Sequence, residues 1–116
     1  MALEDMAERI RKIIGAGKAV SEMSMFGGLC FLLNGNMQIC ARRDGSILAR
    51  VGADNAAAAI KKPGVERMVM RGREMADYLI VSADAAKSEK ALREWVEITG
   101  AYVSGLPPKA SKAKKR

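Results

Sequence analysis

The chain has 116 residues, 49% of them hydrophobic and 28% charged, with a formal net charge of +7. That length suits one domain, which buries roughly two-thirds of the surface its unfolded chain exposes, so a core needs neither disulfides nor metals. There is no histidine, which removes the commonest general base and metal ligand and excludes Ser-His or Cys-His catalysis within one chain.

Leu3, Met6, Ala7, Ile10, Ile13 and Ile14 recur at helical spacing around Arg9, Arg11 and Lys12, and Gly15 and Gly17 end the pattern. The spacing predicts a helix over residues 3–15. Val20–Met25 alternates loosely and reads as a strand. Leu29–Leu33 is a short apolar run, Asn34-Gly35-Asn36 is a turn signal and Met37–Arg42 alternates, which predicts a hairpin. Asp44-Gly45 marks a tight turn before a strand over Ile47–Val51. An alanine-rich helix is expected over Asn55–Lys61, capped by Asp54 and stopped by Pro63-Gly64. Val65–Met70 and Asp77–Ser82 read as strands connected through Arg71-Gly72-Arg73. Leu92, Trp95, Val96, Thr99, Tyr102, Val103 and Leu106 form the apolar stripe of a last helix, which starts at Asp84 or Ser88 and runs to Ser104. Trp95 and Tyr102 read as core anchors.

The order is α-β-β-β-β-α-β-β-α. Consecutive strands joined by tight turns imply an antiparallel sheet. Helices at the start, middle and end would cover one face of it, giving a two-layer α+β sandwich. One domain is expected over residues 3–108, followed by a basic, disordered tail over 109–116.

The segment from Met25 to Met37, with its motif positions Met25, Phe26, Gly27, Gly28, Asn34, Gly35, Asn36 and Met37, resembles the N-terminal domain of the TfoX/Sxy competence regulators. Arg50-Val51-Gly52, Gly72-Arg73 with Met75, and Leu106-Pro107-Pro108-Lys109 extend the resemblance. It implies a bacterial protein whose strongly curved antiparallel sheet is backed by helices, similar in architecture to type III secretion chaperones. Longer members carry a second, helical C-terminal domain. This chain is expected to be the stand-alone form, so competence functions that depend on the second half are not carried over. Ser24, Glu74 and Ala76-Asp77 depart from the Lys or Arg, the Pro and the Lys-Gly common in the family, which removes basic character from the folded body.

The hairpin register decides what the two cysteines can do. If Asn34-Gly35-Asn36 is a three-residue loop, Leu33 pairs with Met37 and Cys30 lies opposite Cys40; a two-residue loop shifts the register and separates them. Opposed cysteines would make a redox-sensitive or soft-metal pair assisted by nearby methionines. The plainer expectation is two small hydrophobes. The three-residue register places Leu29, Phe31, Leu33, Met37, Ile39 and Ala41 on the core face beneath the helices. Cys30, Leu32, Gln38, Cys40 and Arg42 share the other face, which a two-layer fold leaves uncovered and open to a protein partner or a second copy of the chain. Met23, Met25, Met37, Met68, Met70 and Met75 read as core filler in or beside strands.

No phosphate-binding loop, zinc-type ligand set or catalytic carboxylate pair stands out. A non-enzyme is therefore expected, with no catalytic residue, metal or cofactor. Arg42, Arg43, Arg50, Arg67, Arg71 and Arg73 read as rim charges balanced by Asp44, Glu66, Glu74 and Asp77. Lys109, Lys112, Lys114, Lys115 and Arg116 supply five positive charges, and removing them from +7 leaves +2 for residues 1–108. Met1–Glu8 lacks the basic head and apolar run of a signal peptide, and no stretch approaches the ~20 apolar residues of a membrane span. A cytoplasmic protein with reduced cysteines is expected. The first functional expectation is a regulatory or adaptor domain acting through protein contact. The alternative is a weak nucleic-acid binder using the Lys-rich tail and sheet-edge arginines.

Overall fold

The turn and capping signals set out nine elements. The computed structural model describes residues 2–15, 20–25 and 27–107. Its elements are α1 (Ala2–Ile14), β1 (Val20–Met25), β2 (Gly28–Leu33), β3 (Asn36–Arg42), β4 (Ile47–Arg50), α2 (Ala53–Ala59), β5 (Val65–Met70), β6 (Arg73–Val81) and α3 (Glu89–Ser104). In α1, Glu4 and Asp5 open the helix and Arg11 and Lys12 close it, each charge complementing the nearer end of the helix dipole. α3 starts at Ser88 rather than Asp84, because the Ser88 hydroxyl accepts the Ala91 N–H at 3.0 Å. α2 begins earlier than its sequence predicts. Gly52 at φ 91° takes the cap position, with no side-chain cap bond, and Asp54 stands in the first turn instead.

The strands form one antiparallel sheet in the order β1-β2-β3-β4-β6-β5. β6 starts four residues before the expected Asp77. Arg71 (φ 55°) and Gly72 (φ 80°) make a two-residue hairpin turn, so what reads as a connector is a tight reversal of mirror-image type. Arg73–Ala76 of this hairpin run past the last β6 residue paired with β4, Tyr78. Beyond that pair, the Asp77 carbonyl accepts the N–H groups of Val51 (2.9 Å) and Gly52 (3.2 Å).

The β2–β3 register differs from both alternatives open in the sequence. The turn has two residues, Asn34 (φ 54°) and Gly35 (φ 81°), so Leu33 pairs with Asn36 and Leu32 with Met37. An irregularity then shifts the ladder between Phe31 and Leu32, so Phe31 pairs with Ile39 and Cys30 with Cys40. Gln38 is the extra residue of a β-bulge on β3. A two-residue turn and one bulged residue together restore the cysteine pairing that a three-residue loop would have given.

Two cores lie on opposite faces of the sheet. The larger joins Met6, Ala7 and Ile10 of α1, Ala56 and Ala59 of α2 and Leu92, Trp95 and Val96 of α3 to Phe31, Ile39, Ala41, Ile47, Ala49, Leu79 and Val81. It forms the helix-backed layer expected of a two-layer sandwich. The smaller contains Cys30, Leu32, Met37, Cys40 and Leu48, with Met23, Met68, Tyr78 and Ile80 packed against it, and no helix residue among them. Met68 of β5 packs on this cluster although β6 lies between its strand and β4. The expectation of an uncovered face is therefore corrected: Cys30 and Cys40 are 0% exposed and Leu48 1%.

Candidate functional site

Cys30 and Cys40 are joined by a disulfide across β2 and β3. The expected reduced pair is replaced by a cross-link, because the bulged register sets the two residues directly opposite each other. Sulfur surrounds the link. The Met37 sulfur is 3.7 Å from that of Cys40, Met23 on β1 pairs with Cys30, and Met68 packs on the same cluster. Of the residues expected on this face, Cys30, Leu32 and Cys40 lie in its core, while Arg42 is half-buried and reaches Ser46 at 3.5 Å. Gln38 and Met37 exchange sides. The bulge turns Gln38 toward α3, where its buried amide donates to the Val96 carbonyl (3.2 Å) and the Thr99 hydroxyl (3.1 Å). Met37 joins the sulfur cluster instead of the helix-backed core.

Beside the sulfur cluster stands a second group of side chains, which residue spacing does not reveal. Arg50 donates from Nε to Asp77 at 3.3 Å and from Nη1 to the Met37 carbonyl at 3.5 Å. Its guanidinium lies 5.5 Å from the Tyr78 ring centre and 6.0 Å from that of Tyr102, within cation–π range. Burial raises the Tyr78 phenol pKa, against the lowering effect of Arg50. A Cβ on Gly52 would come within 2.6 Å of the Tyr102 ring, so Arg50-Val51-Gly52 pairs a cation with the one residue type that lets Tyr102 close on it. The family resemblance of Arg50-Val51-Gly52 is the only sequence signal that marks this place.

The other motif positions also have distinct structural roles. Gly27 supplies a positive φ of 72° in the β1–β2 turn, while a Cβ on Gly28 would collide with the Ala41 carbonyl oxygen. Both glycines line an open cleft of 510 Å³ with Leu3, Glu4, Ser24, Leu29 and Arg43. Asn36 is buried and donates from Nδ2 to the Pro107 carbonyl at 2.9 Å, tying the hairpin to the segment after α3. Met25 pairs through its backbone with Gly28, and Phe26 lies outside the described residues.

Arg50 is paired with Asp77 and Arg67 with Glu74 at 4.0 Å, while Arg43, Arg71 and Arg73 are exposed. A cleft of 260 Å³ between α1 and α3 is lined by Arg9, Lys12, Ile13, Glu89 and Arg93. Arg93 is bound to Glu89 at 2.8 Å, and Arg9 donates to the carbonyls of Ala86 (3.1 Å) and Lys87 (2.7 Å). Lys109, Lys112, Lys114, Lys115 and Arg116 lie outside the described residues. Among the described residues no group of three or more His, Cys, Asp or Glu could hold a metal. No described helix is long and apolar enough to cross a membrane.

No curated protein matches the chain. The family model for the TfoX N-terminal domain matches residues 12–101, from the last turn of α1 through every strand and most of α3. The chain belongs to the TfoX N-terminal domain family.

Proposed function

We propose that the chain is a non-enzymatic regulatory or adaptor domain that holds an extended segment of a partner protein along β5. Family membership supports a regulatory or adaptor role in general. The centre of the helix-free face is filled by the protein's own side chains, and the sheet edges offer backbone groups for contact instead. β5 pairs with β6 alone, so its outer edge is unpaired among the described residues. Such an edge is a template for strand addition.

The observation that carries the reading is Val69. At 58% exposure it is the one exposed large hydrophobic residue among the described residues, and it lies on this edge strand. Arg71 and Arg73 stand exposed beside it. An extended segment alternating apolar and acidic residues fits that edge. The test is selection from a random-peptide display library on the whole purified chain, with hydrogen exchange to map the site. Enriched peptides should be acidic and apolar, protect the amides of 65–70, and lose binding on Val69→Asp without a change in melting temperature. Protection confined to other strands would sink the reading, and so would a second copy of the chain as sole occupant in light scattering.

One observation favours a second reading, nonspecific nucleic-acid binding: five of the positive charges sit in residues 109–116. Truncation after Pro108 should then abolish retention of DNA or RNA, and the full chain should show a steep salt dependence. Absence of retention at low salt with the tail present would end it.

A further inference from the structure

We propose that Cys30, Cys40 and Met37 form a binding site for a soft monovalent metal ion of the copper(I) class once the Cys30–Cys40 disulfide is reduced. The inference rests on the second core and is independent of the β5 reading. Five sulfur-bearing side chains, Met23, Cys30, Met37, Cys40 and Met68, gather on one face of the sheet. Three of them are already in register for a small ion: Cys30 opposes Cys40, and the Met37 sulfur lies 3.7 Å from that of Cys40.

Thiolate and thioether are the ligands that select copper(I) over harder cations. All three proposed ligands are sulfur, so the donor set discriminates against magnesium and calcium, which want oxygen. The site is dry, with both cysteines fully buried and Met37 7% exposed. Met23 and Met68 are half-buried at its margin and provide thioether contacts on the way in.

The chemistry balances in two steps. A dithiol reductant reduces the disulfide, and two electrons and two protons convert the S–S bond into two thiols while the reductant becomes a disulfide. Copper(I) then displaces both thiol protons and forms two Cu–S bonds, and Met37 donates a sulfur lone pair without losing a proton. The resulting centre carries one net negative charge. Arg50 stands next to it, hydrogen-bonded to the Met37 carbonyl and set over the Tyr78 ring that packs on the cluster. Its charge is shared with Asp77 at 3.3 Å, so it offsets part of the cost of burying the centre's charge.

The test uses the full chain in two redox states, so one sequence serves as its own control. Copper(I), kept in solution as its acetonitrile complex, is titrated anaerobically against a colorimetric copper(I) chelator. Protein reduced with an excess of dithiol, then freed of it, should withdraw one equivalent of copper from the chelator and mask both thiols from alkylation. Disulfide-bonded protein should withdraw none. Met37→Leu should weaken the reduced site by about tenfold, the scale on which metal sites respond to lost supporting contacts, while Leu32→Met should leave it unchanged or tighter. The Cys30→Ala, Cys40→Ala double variant, checked for folding by thermal melt, should bind no copper. Equal copper uptake by reduced and disulfide-bonded protein, no uptake by either, or equal uptake of zinc by the reduced protein would each overturn the proposal.

Discussion

Gly27 and Gly28 stand side by side and are glycine for different reasons. Gly27 needs a left-handed backbone, whereas Gly28 needs the absence of a Cβ against the Ala41 carbonyl. Gly28→Ala should therefore push β2 off β3 and cost about 1–3 kcal/mol, the range for overpacking, read as a lower urea midpoint. Arg11 makes a two-point contact with Glu22, at 2.8 and 2.9 Å, and so fastens α1 to β1. The hydrogen bond from Arg11 is the largest cause holding the Glu22 carboxyl below its ordinary value of 4.5. A depressed folded pKa contributes stability that is fully present above the unfolded value and is lost as pH falls through the folded one. The wild-type advantage over Glu22→Gln should accordingly be constant above pH 4.5 and shrink below it, measured by chemical denaturation across pH. Apolar anchors such as Ile10, Phe31 and Trp95 are legible in the sequence because helical and strand periods mark them. The partners of Arg50 are not, because Asp77, Tyr78 and Tyr102 are distant in sequence and meet only through β6 and α3.

Element positions were legible wherever punctuation was strong, as at Asn34-Gly35, Asp44-Gly45 and Pro63-Gly64. Faces were legible only as far as strict alternation holds. Gln38 breaks it, because a bulge adds one residue without adding a pair. Deleting Gln38 should restore alternation on β3 and keep Cys30 opposite Cys40, while removing both hydrogen bonds to α3. The deletion variant should fold, form the disulfide as judged by a thiol assay, and lose about 1–3 kcal/mol from the broken contacts. Failure to form the disulfide would show that the bulge, and not the two-residue turn, fixes the pairing. The start of α2 departs from its local signal for a related reason. Asp54 looks like a cap locally, but Tyr102, far along the chain, dictates a glycine at residue 52.

The helix-backed layer followed from the order of elements, whereas the second core did not. That core draws side chains from all six strands, and no single segment records it. The disulfide closes a loop with a sequence separation of 10, for which loop-closure entropy gives about 2–3 kcal/mol. Reduction should lower the unfolding free energy by that amount, measured by denaturant titration with and without a dithiol. It should leave α1 and α3 packed, since the helices rest on the other face. The Arg71-Gly72 turn, finally, lies at the free end of a hairpin whose described side chains from Val69 to Glu74 are all exposed, remote from both cores. That makes it the natural insertion point for a reporter: a fluorescent protein or affinity handle spliced there should be carried at little cost in stability, giving the chain a label that leaves both of its own ends free.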